Sequence, residues 1–545
     1  MTRIDERVST HVYKVKRISK EEMESIAGVC VYDQSPFCNA ACPLKLDVKA
    51  MLKAAAENDF KKAFKIYESI APFPLILSAG CGAPCEEKCR LCELGDGIAI
   101  GDIERAVALS GGAGEKRSIF RVRKKKKAAV FGSGLFALLL AGELEKKGYP
   151  VTAICGEADE EEYLRVAAGF LREDDFYTEL KRLRGKDIAF KFNAEMTREL
   201  FEEKRGGFDV LCASEKAALD IFPGAVRDEG IMLMESEGLL TGGGETVLEA
   251  ALGARKAALT ADRLAQGIDP RSARGEEGPV TSRLYTNPDL ARGLIRIKGC
   301  ESGYTREQAA EEAGRCMQCH CDECLRGCAY LRRFNKHPGL LSREIYNNTQ
   351  IIMGDHPLNR AMNACALCGQ CTVTCPHGFD MAHVCRTARE NMVDTDKMPL
   401  AAHEFALLDM LFSNGEAYLC RKQPGHSHCR YVFFPGCQAA AIAPEAVIAA
   451  YEDLCTRLKG GVALMLGCCG AIAHWAGRGE MYGEVRDKIA AELAALEDPV
   501  IIAGCPSCMK LLSEQDMAET VGIWTVLRDR GLPDGARGGG RAVLH

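Results

Sequence analysis

Twenty-one of the 28 cysteines in this chain fall into three groups, and thiolates repeated at short spacing ligate iron–sulfur clusters or zinc. The densest stretch, Cys365-Ala-Leu-Cys368-Gly-Gln-Cys371-Thr-Val-Thr-Cys375-Pro376, has the C-x2-C-x2-C-x3-C-P spacing with which one loop wraps a cubane [4Fe-4S] cluster. Three of its thiolates cap one cluster, and the fourth, before proline, reaches the other cluster of a two-cluster module. The partner motif is Cys316-x2-Cys319-x-Cys321-x2-Cys324-x3-Cys328, with one cysteine more than needed. Cys328 is expected to join Cys365, Cys368 and Cys371, and Cys375 to join three of Cys316, Cys319, Cys321 and Cys324. Zinc knuckles are the competing reading, since C-x2-C pairs also suit tetrahedral zinc. The seven scattered cysteines, Cys155, Cys212, Cys300, Cys385, Cys420, Cys429 and Cys455, read as small buried hydrophobes.

The last group, Cys437, Cys468, Cys469, Cys505 and Cys508, follows three apolar runs, Tyr431 to Gly436, Val462 to Gly467 and Val500 to Gly504. Helical segments at Ala443 to Leu458 and Glu480 to Leu496 separate them, which predicts βαβαβ with every cysteine at a strand C-terminus, the edge where open α/β sheets place their sites. The spacing, with 30 residues between Cys437 and Cys468 and 35 between Cys469 and Cys505, resembles the CCG domain of heterodisulfide reductase. That resemblance implies a catalytic five-cysteine site holding a noncubane [4Fe-4S] cluster used in disulfide cleavage; zinc or an ordinary cluster is the alternative. The preceding dicluster segment, with a helical stretch near Ser342 to Met353, resembles the helical two-cluster domains of fumarate reductase and heterodisulfide reductase subunits.

The N-terminal group, Cys30-x7-Cys38-x3-Cys42-Pro43 and then Cys81-x3-Cys85-x3-Cys89, with Cys92 and Ile98-Ala-Ile-Gly-Asp-Ile-Glu104 downstream, resembles the N-terminal domain of the glutamate synthase small subunit and of dihydropyrimidine dehydrogenase. The resemblance implies up to two [4Fe-4S] clusters. One takes Cys42, Cys81, Cys85 and Glu104; the other takes Cys30, Cys38 and Cys89, with Asp33 where the family has its further cysteine. Either Asp33 ligates through oxygen, or Cys92 substitutes, or that cluster is labile or absent. Next, Ala128-Ala-Val-Phe-Gly132-Ser-Gly134-Leu-Phe-Ala137 reads as a strand entering a helix through GxGxxA, an arrangement that places a pyrophosphate on a helix N-terminus. Thr241-Gly242-Gly243-Gly244 resembles the second flavin-contacting turn of the same family, which implies FAD. Cys155 stands where the family has its ribose-binding acid, with Glu157 two residues on, and the family's NAD(P)H domain is missing.

These sites need several supporting modules, and 545 residues suffice for three or four domains at roughly 100 to 200 residues each. The expected organisation is multi-domain α/β: a helical iron–sulfur domain (1–118), a Rossmann-like FAD-type domain (125–268), a linker (269–297), a helical dicluster ferredoxin domain (298–400), a connecting helix and loop (401–430) and the CCG domain (431–535). Lys116 to Lys127, with eight positive charges in twelve residues, reads as a solvated linker, and Gly535 to His545 as a frayed tail. A net charge of -6 gives no global attraction to nucleic acid or anionic lipid. No run approaches the roughly 18 apolar residues of a membrane span. The charged start, Met1 to Lys20, lacks a secretory core, so the unpaired thiols fit a reducing cytoplasm. The module order resembles proteins named pyridine nucleotide-disulfide oxidoreductase/dicluster-binding proteins. It implies an oxidoreductase of an anaerobe that relays electrons between a flavin or partner and the CCG site, with a flavoprotein, ferredoxin or hydrogenase as partner subunit. A non-catalytic electron-transfer or scaffold subunit with a degenerate flavin domain is the alternative.

Overall fold

The computed structural model describes residues 19–110, 123–272, 274–299 and 303–532. Cys300, most of the expected basic linker and the expected frayed tail lie outside them. The chain divides into two compact units, one of Val31–Cys321 and one of Met1–Cys30 with Asp322–His545.

In the first unit, short helices come first because their caps and apolar faces are both local in the sequence. Asp47 and Asp59 accept from the backbone N–H groups of Ala50 and Lys62, satisfying orphan donors at the starts of helices Val48–Ala56 and Phe60–Glu68. Val48, Met51, Leu52 and Ala55 line the buried face of the former. Helices Pro74–Gly80 and Ile100–Ser110 complete this layer.

A six-stranded sheet follows, made of β1 (Ala128–Phe131), β2 (Val151–Ile154), β3 (Ile188–Lys191), β4 (Val210–Ser214), β5 (Leu233–Met234) and β6 (Leu239–Gly242). Its order is β3-β2-β1-β4-β6-β5, parallel except for β5. Central β1 is buried along its whole length, as a parallel strand covered on both faces should be. Gly142, on helix Leu135–Lys146, lies against Pro72 and Phe73, where a Cβ would come within 2.7 Å of the proline. The sheet and the N-terminal helices consequently share one hydrophobic core.

The first unit does not stop at the linker expected over 269–297. Helix Arg306–Gly314 also belongs to it, and the physical reason is Glu312, which is fully buried. Its carboxylate accepts from the backbone N–H groups of Ala99 at 3.1 Å and Ile297 at 2.9 Å and from Arg315 at 2.5 Å. Arg315 in turn donates to the Asp96 carbonyl at 2.6 Å. A buried carboxylate must be paired in this way, and the pairing ties the chain to the N-terminal helices up to Cys321. The ferredoxin-like region therefore changes unit within its first cysteine motif, where a domain starting at residue 298 was expected.

The second unit contains helices Pro338–Gln350 and Met381–Asp394 and a five-stranded sheet. Its strands are β7 (Leu419–Arg421), β8 (Tyr431–Phe434), β9 (Val462–Leu466), β10 (Val500–Ala503) and β11 (Thr520–Gly522), in the order β11-β10-β8-β9-β7. Helices Pro444–Arg457 and Gly479–Ala495 connect the central parallel strands, matching the expected βαβαβ. The stretch 401–430 is more than a connection, since β7 pairs antiparallel with β9 and closes one edge of the sheet. Among the described residues no helix is long and apolar enough to cross a membrane.

Candidate metal centres

The ferredoxin-type loop is built by short helices that leave their cysteines at the ends. Cys328 precedes helix Ala329–Phe334 and Cys365 follows helix Asn359–Ala364. Gly369, at φ +75°, makes the left-handed turn into helix Gln370–Thr374, a conformation glycine adopts without strain. Cys328, Cys365, Cys368 and Cys371 line one largely apolar cavity of about 430 Å³. This is the set expected from spacing, and its chemistry of four thiols around a largely apolar cavity fits a cubane cluster. Cys385 is buried, as expected of a small hydrophobe, but it also acts on this site. Its thiol hydrogen-bonds to Cys365 and, with Arg389 nearby, brings the Cys365 thiol down to about 7. The Tyr330 hydroxyl lies 3.7 Å from the Cys385 sulfur. Cys30, Cys324 and Cys375 pack in the same core.

The second centre occupies the C-terminal edge of β8, β9 and β10, which are neighbours in the sheet. Cys437, Cys468, Cys469 and Cys508 form a chain of thiol-to-thiol hydrogen bonds. Cys437 pulls the Cys468 thiol down, but Cys469 and burial outweigh it and leave that thiol up at about 11. Cys505 completes the group: at Gly436, whose φ is +87°, a Cβ would sit 3.0 Å from the Cys505 Cβ and 3.3 Å from the Cys508 sulfur. Asn414, which no cysteine pattern could mark, holds the turn by accepting from the Cys468 N–H at 2.9 Å and donating to its carbonyl at 3.1 Å.

The two centres share a buried cation. Arg389, 3% exposed, donates to the carbonyls of Met362 at 2.6 Å and Cys365 at 2.5 Å on the ferredoxin side, and of Trp475 at 2.6 Å beyond the Cys468–Cys469 turn. Gly477, at φ +76°, lies against the backbone of Arg389 and Glu390, 2.5 Å from the Glu390 nitrogen at the Cβ position. Between these elements opens a cavity of about 230 Å³ whose wall includes Gly369, His383, Arg386, His474, Ser507 and Lys510. Burial and the Arg386 guanidinium hold the His474 imidazole below its usual range, so it is neutral near pH 7.

In the first unit, Cys42, Cys81, Cys85 and Glu104 come together as the resemblance implied. Glu104 is 4% exposed and burial pushes its carboxyl up to about 8, against the opposing effect of the Tyr67 hydroxyl. Glu104 and Cys42 in turn raise the thiols of Cys81 and Cys85, Cys81 to about 12, after burial as the main cause. A carboxyl and three thiols gathered in one buried place, with Glu104 raising the thiols, suit a positively charged inorganic core. The remaining N-terminal residues are arranged differently from expectation. Cys30 belongs to the second unit, Asp33 is exposed, and exposed Cys92 lies 3.4 Å from the Glu86 carbonyl. Cys316 and Cys319, assigned by spacing to the ferredoxin pair, pack into the first unit's core beside Cys38 and Cys89. Among the described residues no three Cys, His, Asp or Glu side chains are arranged to hold a single metal ion.

The glycine turns divide in their fit to a flavin nucleotide. Gly134, at φ +104°, opens helix Leu135–Lys146 with nothing within 4 Å of its Cβ position, which leaves room for a phosphate. Ala137 is buried just behind. At the second turn, the Glu215 carboxylate presses on Gly243 and the Glu249 backbone on Gly244, while Gly242 is backed by Met232 and Phe136. The adjoining cavity is lined by Glu215, Glu229, Glu245 and Glu249 against Arg227 and Lys256, an acidic excess that opposes a pyrophosphate. Glu157 keeps one buried carboxylate oxygen without a hydrogen bond and faces Cys155. The first turn suits a dinucleotide and the second does not.

Residues 7–112 match the domain model described as dihydropyrimidine dehydrogenase domain II, 4Fe-4S cluster, and residues 315–380 match a 4Fe-4S dicluster domain. Among curated proteins, the chain is similar to an NADPH-Fe(3+) oxidoreductase subunit beta of Geobacter sulfurreducens, 28% identical over 230 residues, or 40% of this chain and 33% of the relative. It also resembles an NADP(+)-dependent formate dehydrogenase subunit beta of Moorella thermoacetica, 28% identical over 25% of this chain and 21% of the relative. The glutamate synthase [NADPH] small chain of Azospirillum brasilense is 29% identical over 25% of this chain and 29% of the relative. The chain thus spans a third or less of the length of these relatives. It carries helical iron–sulfur domains of the 4Fe-4S type within a multi-domain α/β architecture, and its relatives are oxidoreductase subunits.

Proposed function

We propose that the chain is an electron-transfer oxidoreductase subunit that passes electrons from its ferredoxin-type clusters to the five-cysteine sheet edge, where a disulfide is reduced as in heterodisulfide reductase. The observation that carries this reading is Arg389, whose single guanidinium binds the backbone beside Cys365 and the turn after Cys469. A buried, multiply bonded cation ties the backbone beside one centre to the helix after the other, and a fixed separation is what a relay requires. Iron–sulfur clusters, when bound, supply one-electron storage; reducing a disulfide to two thiols takes two electrons and two protons. The electrons come from a partner redox protein. His474, neutral and facing the cavity, can hold one proton at its imidazole, while Lys510 and Arg386 orient an anionic substituent of the disulfide.

A partner subunit is favoured by helix Glu404–Asn414, where Phe405 is 88% exposed and Leu408 and Phe412 are exposed on the same face. The test is viologen-driven reduction of small disulfides by anaerobically purified chain, wild type against Cys468→Ser. Activity lost in the variant with the ferredoxin signals intact supports the reading; iron-loaded wild type that reduces no disulfide, alone or with a redox partner, refutes the disulfide step.

A further inference from the structure

We infer that Cys38, Cys89, Cys316 and Cys319 together ligate one [4Fe-4S] cluster, begun in the N-terminal helices and closed by two cysteines from the opposite side of the sheet domain in sequence. The proposal rests on the iron–sulfur reading above and deepens it by putting Cys316 and Cys319 in place of Cys30 and of the alternatives Asp33 and Cys92.

The placement begins with Glu312 and Arg315, whose buried bonds to Ala99 and Asp96 deliver the segment directly after helix Arg306–Gly314 to the N-terminal helices. There Lys49 serves both sides. Its N–H donates to the Asn39 side chain at 3.0 Å, and the same Asn39 oxygen lies 3.6 Å from the Cys38 sulfur. Its ammonium donates to the Cys319 carbonyl at 2.9 Å, and its carbonyl accepts from Gln318 at 3.3 Å. Gln318, at φ +50°, also donates to the Cys316 sulfur at 3.4 Å. The left-handed turn at Gln318 lets two cysteines three apart turn toward the same side.

The electrostatics agree with the geometry. The Cys38 thiol is raised by burial and then by its neighbours Cys316, Cys319 and Cys89, and Cys316 is raised to about 11 by burial together with Cys319 and Cys89. These neighbour effects place the four sulfurs close together, and four free thiols match the donor set of a cubane. Cys38 also lies near the Cys42, Cys81, Cys85 and Glu104 group, since it is among the neighbours that raise Cys85.

Iron loss tests the sharing directly. Iron and sulfide are counted on anaerobically purified full chain for Cys38→Ser, Cys316→Ser and the double variant, with Cys38→Ser/Cys371→Ser as the two-cluster control. If the cluster is shared, each single variant and the first double lose the same roughly four irons, while the control loses about eight. A Cys38→Ser/Cys316→Ser loss of about eight overturns the proposal and returns Cys316 to the ferredoxin pair. Where serine variants do not fold, Cys89→Asp and Cys319→Asp keep a ligand oxygen and should alter the same EPR signal; changes in two different signals overturn the proposal. A wild type without iron defeats the iron–sulfur reading itself, an outcome distinct from either.

Discussion

Replacing Arg389 with methionine should separate the two cysteine centres of the second unit without dissolving either. Arg389 is almost fully buried and its loss strips three carbonyls, those of Met362, Cys365 and Trp475, of their donor. Each buried carbonyl left unsatisfied costs about 1–3 kcal/mol. Methionine keeps the apolar stem and removes the desolvation cost of a buried cation, which offsets part of the loss. We expect a net destabilisation of about 3 kcal/mol, or roughly a hundredfold in the local opening equilibrium. Arg389→Lys should rescue little, since one ammonium cannot reach three carbonyls in a plane as a guanidinium does. Amide hydrogen exchange on the metal-loaded chain is the assay, read at 362–366 and 475–477. Protection should fall at both places together in the variant. An unchanged exchange rate, or a loss confined to one side, would refute the view that this cation locks the centres.

Gly477→Ala meets the backbone of Arg389 and Glu390 at φ +76°, so it should cost about 1–3 kcal/mol in a denaturant titration and open the same contact. Asn414→Ala removes both hydrogen bonds to the Cys468 backbone; metal at the sheet edge should then be lost faster to a chelator, while iron in the ferredoxin loop is retained. Cys385→Ala takes away the thiol that lowers Cys365. In metal-free protein the Cys365 value should rise toward the ordinary value of about 8.5, and its alkylation at pH 7 should slow roughly tenfold. Glu104→Ala should cost one N-terminal cluster, seen as a loss of about four irons, whereas Asp33→Ala should cost none.

Motifs whose ligands are neighbours in sequence were legible without a structure. The Cys365 loop and its Cys328 partner are set by one C-x2-C-x2-C-x3-C turn, and the Cys437, Cys468 and Cys505 positions by apolar strands whose ends the cysteines mark. Spacing alone does not show where distant polar contacts place a segment. Cys316 and Cys319 stand next to Cys321 in sequence, yet the buried carboxylate of Glu312 ties them to helices some 200 residues earlier. Arg389 and Asn414 were invisible for a related reason, since an arginine or asparagine inside a helix carries no mark of the carbonyl it will meet. Strand β7 is too short to stand out by alternation, and its pairing with β9 identifies it. The GxGxxA turn was legible as a strand-to-helix turn, but the acidic wall beside Gly243 depends on Glu215 and Glu229, which approach it only in the fold.

What fills the sheet-edge site is read by low-temperature EPR of the anaerobically purified full chain, with iron, sulfide, zinc and flavin counted on the same sample. We expect roughly sixteen to twenty irons per chain, negligible zinc, cubane signals on reduction, and a further signal that responds to an added disulfide and disappears in Cys468→Ser. Stoichiometric zinc with few irons, or a spectrum that Cys468→Ser leaves unchanged, would contradict the relay to the sheet edge.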